Sequence, residues 1–222
     1  MIGNPAADVT GYVLAGGRSS RMGQDKVFVE IDGVPLIQHA VAKLQSVCCD
    51  VRILSGPLDI NRDALLSSYA RPVPDSGPEY DGPLAALAAA LRDLPTRYAL
   101  LLAVDQPRMS VDALAHLVAS GVGALALAAC YSQNEIPESL PLLVSRELLS
   151  PILAALGAGQ RRLLDTVRAC CADLGQPLLT VSAARFPPEI FLNVNTPGDL
   201  KRYSGQTSSN HSARAASENK NG

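Results

Sequence analysis

Short apolar runs that end in glycine or proline alternate with segments whose apolar residues recur every three or four positions. Gly11–Leu14 is such a run, closed by Gly16 and Gly17, and it reads as a first buried strand. Pro35 suits the first position of a helix, and Ile37, Ala40, Val41, Leu44 and Val47 follow at helical spacing. Val51–Leu54 predicts a second strand, stopped by Ser55-Gly56-Pro57, and Arg71–Val73 a short third. Pro83 suits another helix start, with Leu84, Leu87, Ala88 and Leu91 on one face. Tyr98–Val104 is apolar throughout, which predicts a central parallel strand covered on both faces. Ser110 is suited to cap a helix that presents Leu114, Leu117 and Val118.

The later elements carry weaker signals. Ala124–Cys130 reads as a strand, although its alanines leave a helix open, and Pro141–Val144 reads as a fainter one. Ser145–Leu156 predicts a helix that breaks and restarts at Pro151 with Ser150 as cap. Leu163, Leu164, Val167, Cys171 and Leu174 predict a further helix. Leu178–Val181 and Ile190–Val194 read as late strands, and Thr196-Pro197 as the start of a short last helix. This alternation predicts an α/β fold, a single three-layer αβα domain with a mostly parallel, Rossmann-like sheet. The domain is expected over residues 1–203, and 204–222, rich in Ser, Asn, Ala and Gly, as a disordered tail.

Composition narrows the classes of function. Apolar residues make up 47% and charged residues 18% of the 222, enough to bury a sizeable core. A formal net charge of −2 argues against broad attraction to nucleic acid or anionic lipid. The absence of Trp weakens any reading as a base-stacking binder of single strands. The five cysteines are odd in number and contain no C-x-x-C, so neither a disulfide framework nor a zinc site is expected, and all five read as small core residues. No signal peptide or membrane span is read, and the expected location is the cytoplasm.

The chemistry concentrates after the first strand, in Leu14-Ala-Gly-Gly-Arg-Ser-Ser-Arg-Met-Gly-Gln-Asp-Lys26. Gly16 and Gly17 let the backbone turn tightly and approach a ligand, and exposed N–H groups in such a loop form an anion-binding concavity. Arg18, Arg21 and Lys26 outweigh Asp25, so an acidic protein carries a local positive site suited to a polyphosphate. The spacing is neither that of a P-loop nor that of the dinucleotide fingerprint G-x-G-x-x-G.

This segment resembles the N-terminal signature of the nucleotidyltransferases, most closely the molybdenum cofactor guanylyltransferase branch, the MobA-like proteins. Four later segments extend the resemblance to about residue 203. They are Asp75 with Asp81-Gly-Pro-Leu84, Val104-Asp-Gln-Pro107, Gly159-Gln-Arg-Arg162 and Phe191-Leu-Asn-Val-Asn-Thr-Pro197. The resemblance implies transfer of GMP from GTP to molybdopterin or the molybdenum cofactor, with release of diphosphate and Mg²⁺ as cofactor. A cytidylyltransferase and a non-catalytic nucleotide-binding protein stand as alternatives. It implies a nucleotide site at Leu14, Ala15, Gly16, Gly17, Arg21, Lys26, Leu54, Asp75 and Asp105, with Arg21, Lys26 and Asp105 catalytic. The second substrate falls to Gly82, Arg161, Arg162, Asn193 and Asn195. The protein is expected to act as a monomer, with transient contacts to molybdenum-inserting or acceptor molybdoenzyme proteins.

The residues themselves support these roles unevenly. Asp105 ends the strongest strand, where a carboxylate is well placed to hold Mg²⁺, a cation that takes oxygen ligands and substrate phosphates. Asp75 reads equally as a base or ribose acceptor and as a turn residue. Gly82-Pro83 reads as a helix start, whose N-terminus favours an anion. Arg161 and Arg162 point about 100° apart on a helix, so one can bind a phosphate while the other is solvated, or both form an exposed basic face. Asn193 and Asn195 alternate along the expected strand and so share a side, or else they serve the turn before Thr-Pro. Two positions depart from the family: Leu140 precedes Pro141 where a histidine is usual, and Leu54-Ser55-Gly56 stands where an asparagine is usual.

Overall fold

A computed structural model of the chain describes residues 5–16, 25–75, 82–196 and 198–199. Its strands are β1 (Val9–Leu14), β2 (Glu30–Ile31), β3 (Val34–Pro35), β4 (Asp50–Leu54), β5 (Arg71–Val73), β6 (Tyr98–Ala103), β7 (Ala128–Gln133), β8 (Ile136–Ser145) and β9 (Leu179–Ser182). Its α-helices are α1 (Leu36–Gln45), α2 (Ile60–Leu66), α3 (Pro83–Asp93), α4 (Val111–Gly123), α5 (Leu149–Gly157) and α6 (Leu163–Asp173). Seven strands form one sheet in the order β5-β4-β1-β6-β8-β7-β9, and β2 pairs with β3 in a separate ribbon. Within the seven-stranded sheet the ladders are parallel except at β8, which runs antiparallel to both β6 and β7.

Two apolar layers sandwich the sheet. Val13, Ile53 and Leu100 face α1 and α4, while Tyr12, Leu54 and Leu101 face α3, α5 and α6. Side chains alternate along a strand, so a strand buried on both faces must be apolar at every position. That is why Tyr98–Ala103 lacks polar interruptions. The chain steps outward from β1 to β4 and β5, then returns to add β6 on the other side of β1. The strand order therefore reverses between β1 and β6, and a crevice opens beyond their carboxyl ends.

Several sequence expectations need correction. Pro35 is the N-cap residue of α1 and pairs with Glu30, so the helix begins one residue later. The strand expected at Ala124–Cys130 begins at Ala128, because α4 runs to Gly123 and Leu125 turns the chain at φ 51°. The central strand has a parallel neighbour on one side only; its other neighbour is the antiparallel β8. The break expected at Pro151 lies earlier, where a 3₁₀ turn at Arg146–Leu148, capped by Ser145, gives way to α5. Pro151 sits in the first turn of α5, where a missing N–H breaks no helical bond. Ile190–Val194 is no strand: a 3₁₀ turn spans Pro188–Phe191, and Pro187 and Pro188 supply no N–H for a ladder. Cys49 is exposed and Cys48 half-buried, whereas Cys130, Cys170 and Cys171 lie in the core as expected. Among the described residues no helix is long and apolar enough to cross a membrane.

Candidate nucleotide site at the switch point

Three segments far apart in sequence meet in the crevice between β1 and β6. The Val104 N–H donates to the Leu14 carbonyl at 3.2 Å, which joins the two strand ends. Just beyond, Lys26 Nζ donates to Asp105 Oδ2 at 2.9 Å and to Asn195 Oδ1 at 2.6 Å. Each partner is held by its own local device. Asp25 accepts the Val27 N–H at 3.3 Å and so caps the 3₁₀ turn Lys26–Phe28. Asp105 stands in the turn after β6, where the Gln106 N–H donates to the Ala103 carbonyl at 3.3 Å. The Val194 N–H donates to the Asp105 carbonyl at 2.8 Å, which brings Asn195 alongside. Asp199 Oδ2 accepts from the Asn195 and Thr196 N–H groups at 3.0 and 2.9 Å and fixes that segment in turn.

The Asp105 carboxylate is only half used. Oδ2 carries the lysine, whereas Oδ1 is buried and has no hydrogen-bond partner. A buried acceptor without a donor is costly unless a cation or donor meets it. This atom therefore fits Mg²⁺, which takes one or two carboxylates and completes its shell with substrate phosphates and water. No group of three His, Cys, Asp or Glu suited to a metal occurs among the described residues. A Mg²⁺ site of this kind does not require one.

The loops after β1, β4 and β5 build the adjoining wall. The Ala15 N–H donates to the Leu54 carbonyl, the Ser55 N–H to the Val73 carbonyl and the Asp75 N–H to the Gly56 carbonyl, at 3.0, 3.0 and 3.1 Å. A Cβ on Gly16 would lie 3.1 Å from Gly56 Cα and 3.5 Å from Asp75 Oδ1. These loops therefore touch backbone to backbone, as only glycine allows. The Leu54 side chain is fully buried, so any contact it makes to a ligand is through its backbone. Ser55 is buried too, and its hydroxyl has no partner.

The residues assigned to the second substrate separate into two groups. Gly82 adopts φ 91° as N-cap of α3, with Pro83 at the first helical position. Pro83, Ser139, Leu140, Arg161, Arg162 and Leu163 to Asp165 line a cavity of about 400 Å³. Arg161 folds back onto the end of α5, donating to the Leu156 and Gln160 carbonyls at 3.1 and 2.7 Å. Arg162 is 86% exposed and reaches only Asp165 at 3.5 Å. Of the two, Arg162 is the freer to meet a ligand. Asn193 and Asn195 do not line this cavity. Both are exposed with Val194 buried between them, so the alternation holds although the strand does not exist.

Gly17 and Arg21 lie outside the described residues, as do Arg18, Asp81 and Pro197. The sequence reading passed over Arg62, on α2. Its guanidinium donates to Asp25 Oδ2 and to the Ala15 carbonyl at 2.6 and 2.8 Å, and to the Ser55 carbonyl. A local signal for this helix exists. Asp59 is its N-cap and accepts the Asn61 and Arg62 N–H groups, both at 3.1 Å.

Residues 11–173 match the sequence model of the MobA-like NTP transferase domain. The chain belongs to this family. It is 31% identical to a molybdenum cofactor guanylyltransferase of Vibrio atlanticus, covering 86% of this chain and 93% of that protein. It is 34% identical to a molybdenum cofactor guanylyltransferase of Bordetella pertussis, covering 70% of this chain and 80% of that one. The fold matches the crystal structure of molybdopterin-guanine dinucleotide biosynthesis protein A from Archaeoglobus fulgidus with a TM-score of 0.72. That match is 24% identical in sequence and covers 90% of this chain and 99% of that one. In this MobA-like domain the loop motif, Lys26 and Asp105 fall within the matched span, whereas Asn195 lies beyond it.

Proposed function

We propose that the chain transfers GMP from GTP to the terminal phosphate of molybdopterin or its molybdenum-bearing form. An oxygen of the acceptor phosphate attacks the α-phosphorus of GTP and forms the new P–O bond. The bond from that phosphorus to the β-phosphate oxygen breaks, and diphosphate leaves. The observation that carries this reading is the meeting of Lys26, Asp105 and Asn195 at the switch point of a MobA-like domain.

The acceptor phosphate is mostly ionised near pH 7, so the site needs no strong general base. Its task is positioning and charge stabilisation. Lys26 holds phosphate oxygens of the nucleotide and offsets the charge that gathers on the departing diphosphate. Asn195 accepts from Lys26 and keeps its ammonium in the crevice. Asp105, whose Oδ1 is buried without a protein donor, would hold the metal. Mg²⁺, when bound, neutralises charge on the phosphates and favours attack at phosphorus. Arg21 shares the leaving-group role on the sequence resemblance. Gly16, Gly17 and Asp75 receive the nucleotide; Gly82, Arg161, Arg162 and Asn193 receive the acceptor. This reading takes the chain as a cytoplasmic monomer that passes its product to molybdenum-inserting or acceptor proteins.

The test is diphosphate release from GTP by purified protein with Mg²⁺ and molybdopterin. Release that depends on both substrates supports the reading. Preference for CTP over GTP reassigns the chain as a cytidylyltransferase, and nucleotide binding without diphosphate release makes it a binding protein.

A further inference from the structure

Arg62 binds three segments that the sequence keeps apart. Ala15 and Asp25 lie near the two ends of the glycine-rich signature, and Ser55 opens the loop after β4. The three guanidinium nitrogens divide among them: Nε meets Asp25 Oδ2, Nη1 the Ser55 carbonyl, and Nη2 the Ala15 carbonyl with a longer contact, 3.5 Å, to Asp25 Oδ1. A guanidinium is planar, with its donors in fixed directions, so serving three acceptors at once fixes their relative positions. The Arg62 side chain is 18% exposed and that of Asp25 33%, so water competes only partly for these bonds.

The peptide plane carries this constraint onward. In a trans peptide the carbonyl and the following N–H point in opposite directions. An Ala15 carbonyl turned toward Arg62 therefore aims the Gly16 N–H away from it. The Ser55 carbonyl does the same for the Gly56 N–H. Asp25, held through Oδ2, uses Oδ1 to cap the 3₁₀ turn that begins at Lys26. One side chain thus sets two backbone donors and the root of the lysine.

We propose that Arg62 is a positioning residue for nucleotide binding. It holds the Gly16 and Gly56 backbone and the base of Lys26 in the arrangement that receives a nucleoside triphosphate, and it touches no substrate itself. This inference rests on the nucleotidyl-transfer reading and adds to it a residue outside the signature.

The experiment measures the affinity of the full chain for Mg²⁺·GTP by calorimetry, with thermal melting in parallel. The variants are Arg62→Ala, Arg62→Lys and the control Arg146→Ala. Arg146 makes a comparable bond, Nη2 to the Leu94 carbonyl at 2.6 Å, outside the candidate site. Both Arg62 variants are expected to weaken Mg²⁺·GTP by about tenfold to a hundredfold, because the lysine ammonium gathers its donors on one nitrogen and cannot span three acceptors set around a planar fork. The KM for molybdopterin is expected to stay within about twofold, since only the nucleotide half of the site is disturbed. Arg146→Ala is expected to lower the melting temperature and leave the affinity unchanged. If Arg62→Ala fails to fold, Arg62→Lys carries the comparison. Folded Arg62 variants that bind Mg²⁺·GTP like the wild type, or no worse than Arg146→Ala, overturn the proposal. Wild-type protein that binds GTP but releases no diphosphate removes the transfer reading and leaves the role of Arg62 standing. Wild-type protein that binds no nucleotide removes both.

Discussion

The ammonium of Lys26 lies 2.9 Å from Asp105 Oδ2, across the crevice between the ends of β1 and β6. The pair joins the first motif of the chain to the strand that closes the switch point. It leaves the other carboxylate oxygen buried and without a partner. Asp105→Asn keeps the shape of the side chain and removes its charge, so the fold should survive. Diphosphate release should fall by roughly a hundredfold to a thousandfold, the scale on which a group that stabilises transition-state charge acts. Activity within tenfold of wild type would remove Asp105 from the mechanism.

Lys26→Met tests the other half of the pair. The side chain is 13% exposed, so a methionine of similar length fits the space. The melting temperature should fall, because the variant leaves the Asp105 carboxylate, 20% exposed, without its cation, so the kinetics are read on the folded variant. The kcat should fall more than the KM for GTP rises, since the lysine is assigned to charge that develops as diphosphate leaves. Steady-state kinetics with varied GTP separates the two effects.

Gly16→Ala isolates backbone approach from charge. The new Cβ would lie 3.1 and 3.2 Å from the Gly56 Cα and N atoms, which belong to backbone and cannot rotate away. The loops after β1 and β4 must separate by a few tenths of an ångström. Affinity for Mg²⁺·GTP should fall, while Asp105 and Lys26, farther along, keep their contact. Nucleotide titration of the folded variant decides this, and unchanged affinity would show that the two loops do not share a ligand.

Local pattern made part of this site legible and left another part hidden. Lys26 and Asp105 were readable because each belongs to a motif at the end of an apolar strand, and strands of this fold end at the crevice. Glycine and proline marked α3 and the turn after β4 for the same reason. The strand expected at Ile190–Val194 failed because apolar alternation there reflects Val194 buried between exposed asparagines, not a ladder. The antiparallel direction of β8 was not readable, since Pro137 and Pro141 weaken its strand signal and pairing direction is a tertiary property. Arg62 was missed because two of its three partners, Asp25 and Ala15, lie 37 and 47 residues away, and no local spacing encodes such contacts.

Stability should depend on a cluster remote from the crevice. Asp93, at the end of α3, accepts from Arg52, Arg71 and Tyr12. Burial acts to raise its pKa, but the hydrogen bonds from Arg52, Arg71 and Tyr12 outweigh this and hold the carboxyl below its ordinary value. A carboxyl depressed in the folded state stabilises above its unfolded pKa, and this contribution fades as the pH falls through the folded value. Asp93→Asn should cost about 1–3 kcal/mol at pH 7, the scale of hydrogen bonds to charged groups. The gap from wild type should narrow below about pH 4. Denaturant melts at pH 7 and pH 3 check both statements, and an equal gap at the two pH values would exclude the ionised carboxylate as the cause.

Lys43 gives a pH dependence of the opposite kind. Its ammonium on α1 donates to the Pro107 carbonyl, in the turn that carries Asp105. Burial lowers its pKa from 10.5 to about 8. Below about pH 8 the lysine is charged in both the folded and the unfolded chain, so folding bears the full cost of burying the charge. Between about 8 and 10.5 the unfolded chain binds more protons than the folded one, and stability from this group rises with pH. Lys43→Met removes the titration and the hydrogen bond together. The lost bond adds a cost that does not vary with pH, so the trend is the test. The melting temperature of the variant, taken relative to wild type, should be highest below pH 8 and should decline toward pH 10. A difference that stays flat across this range would mean that the Lys43 ammonium is solvated in the folded protein.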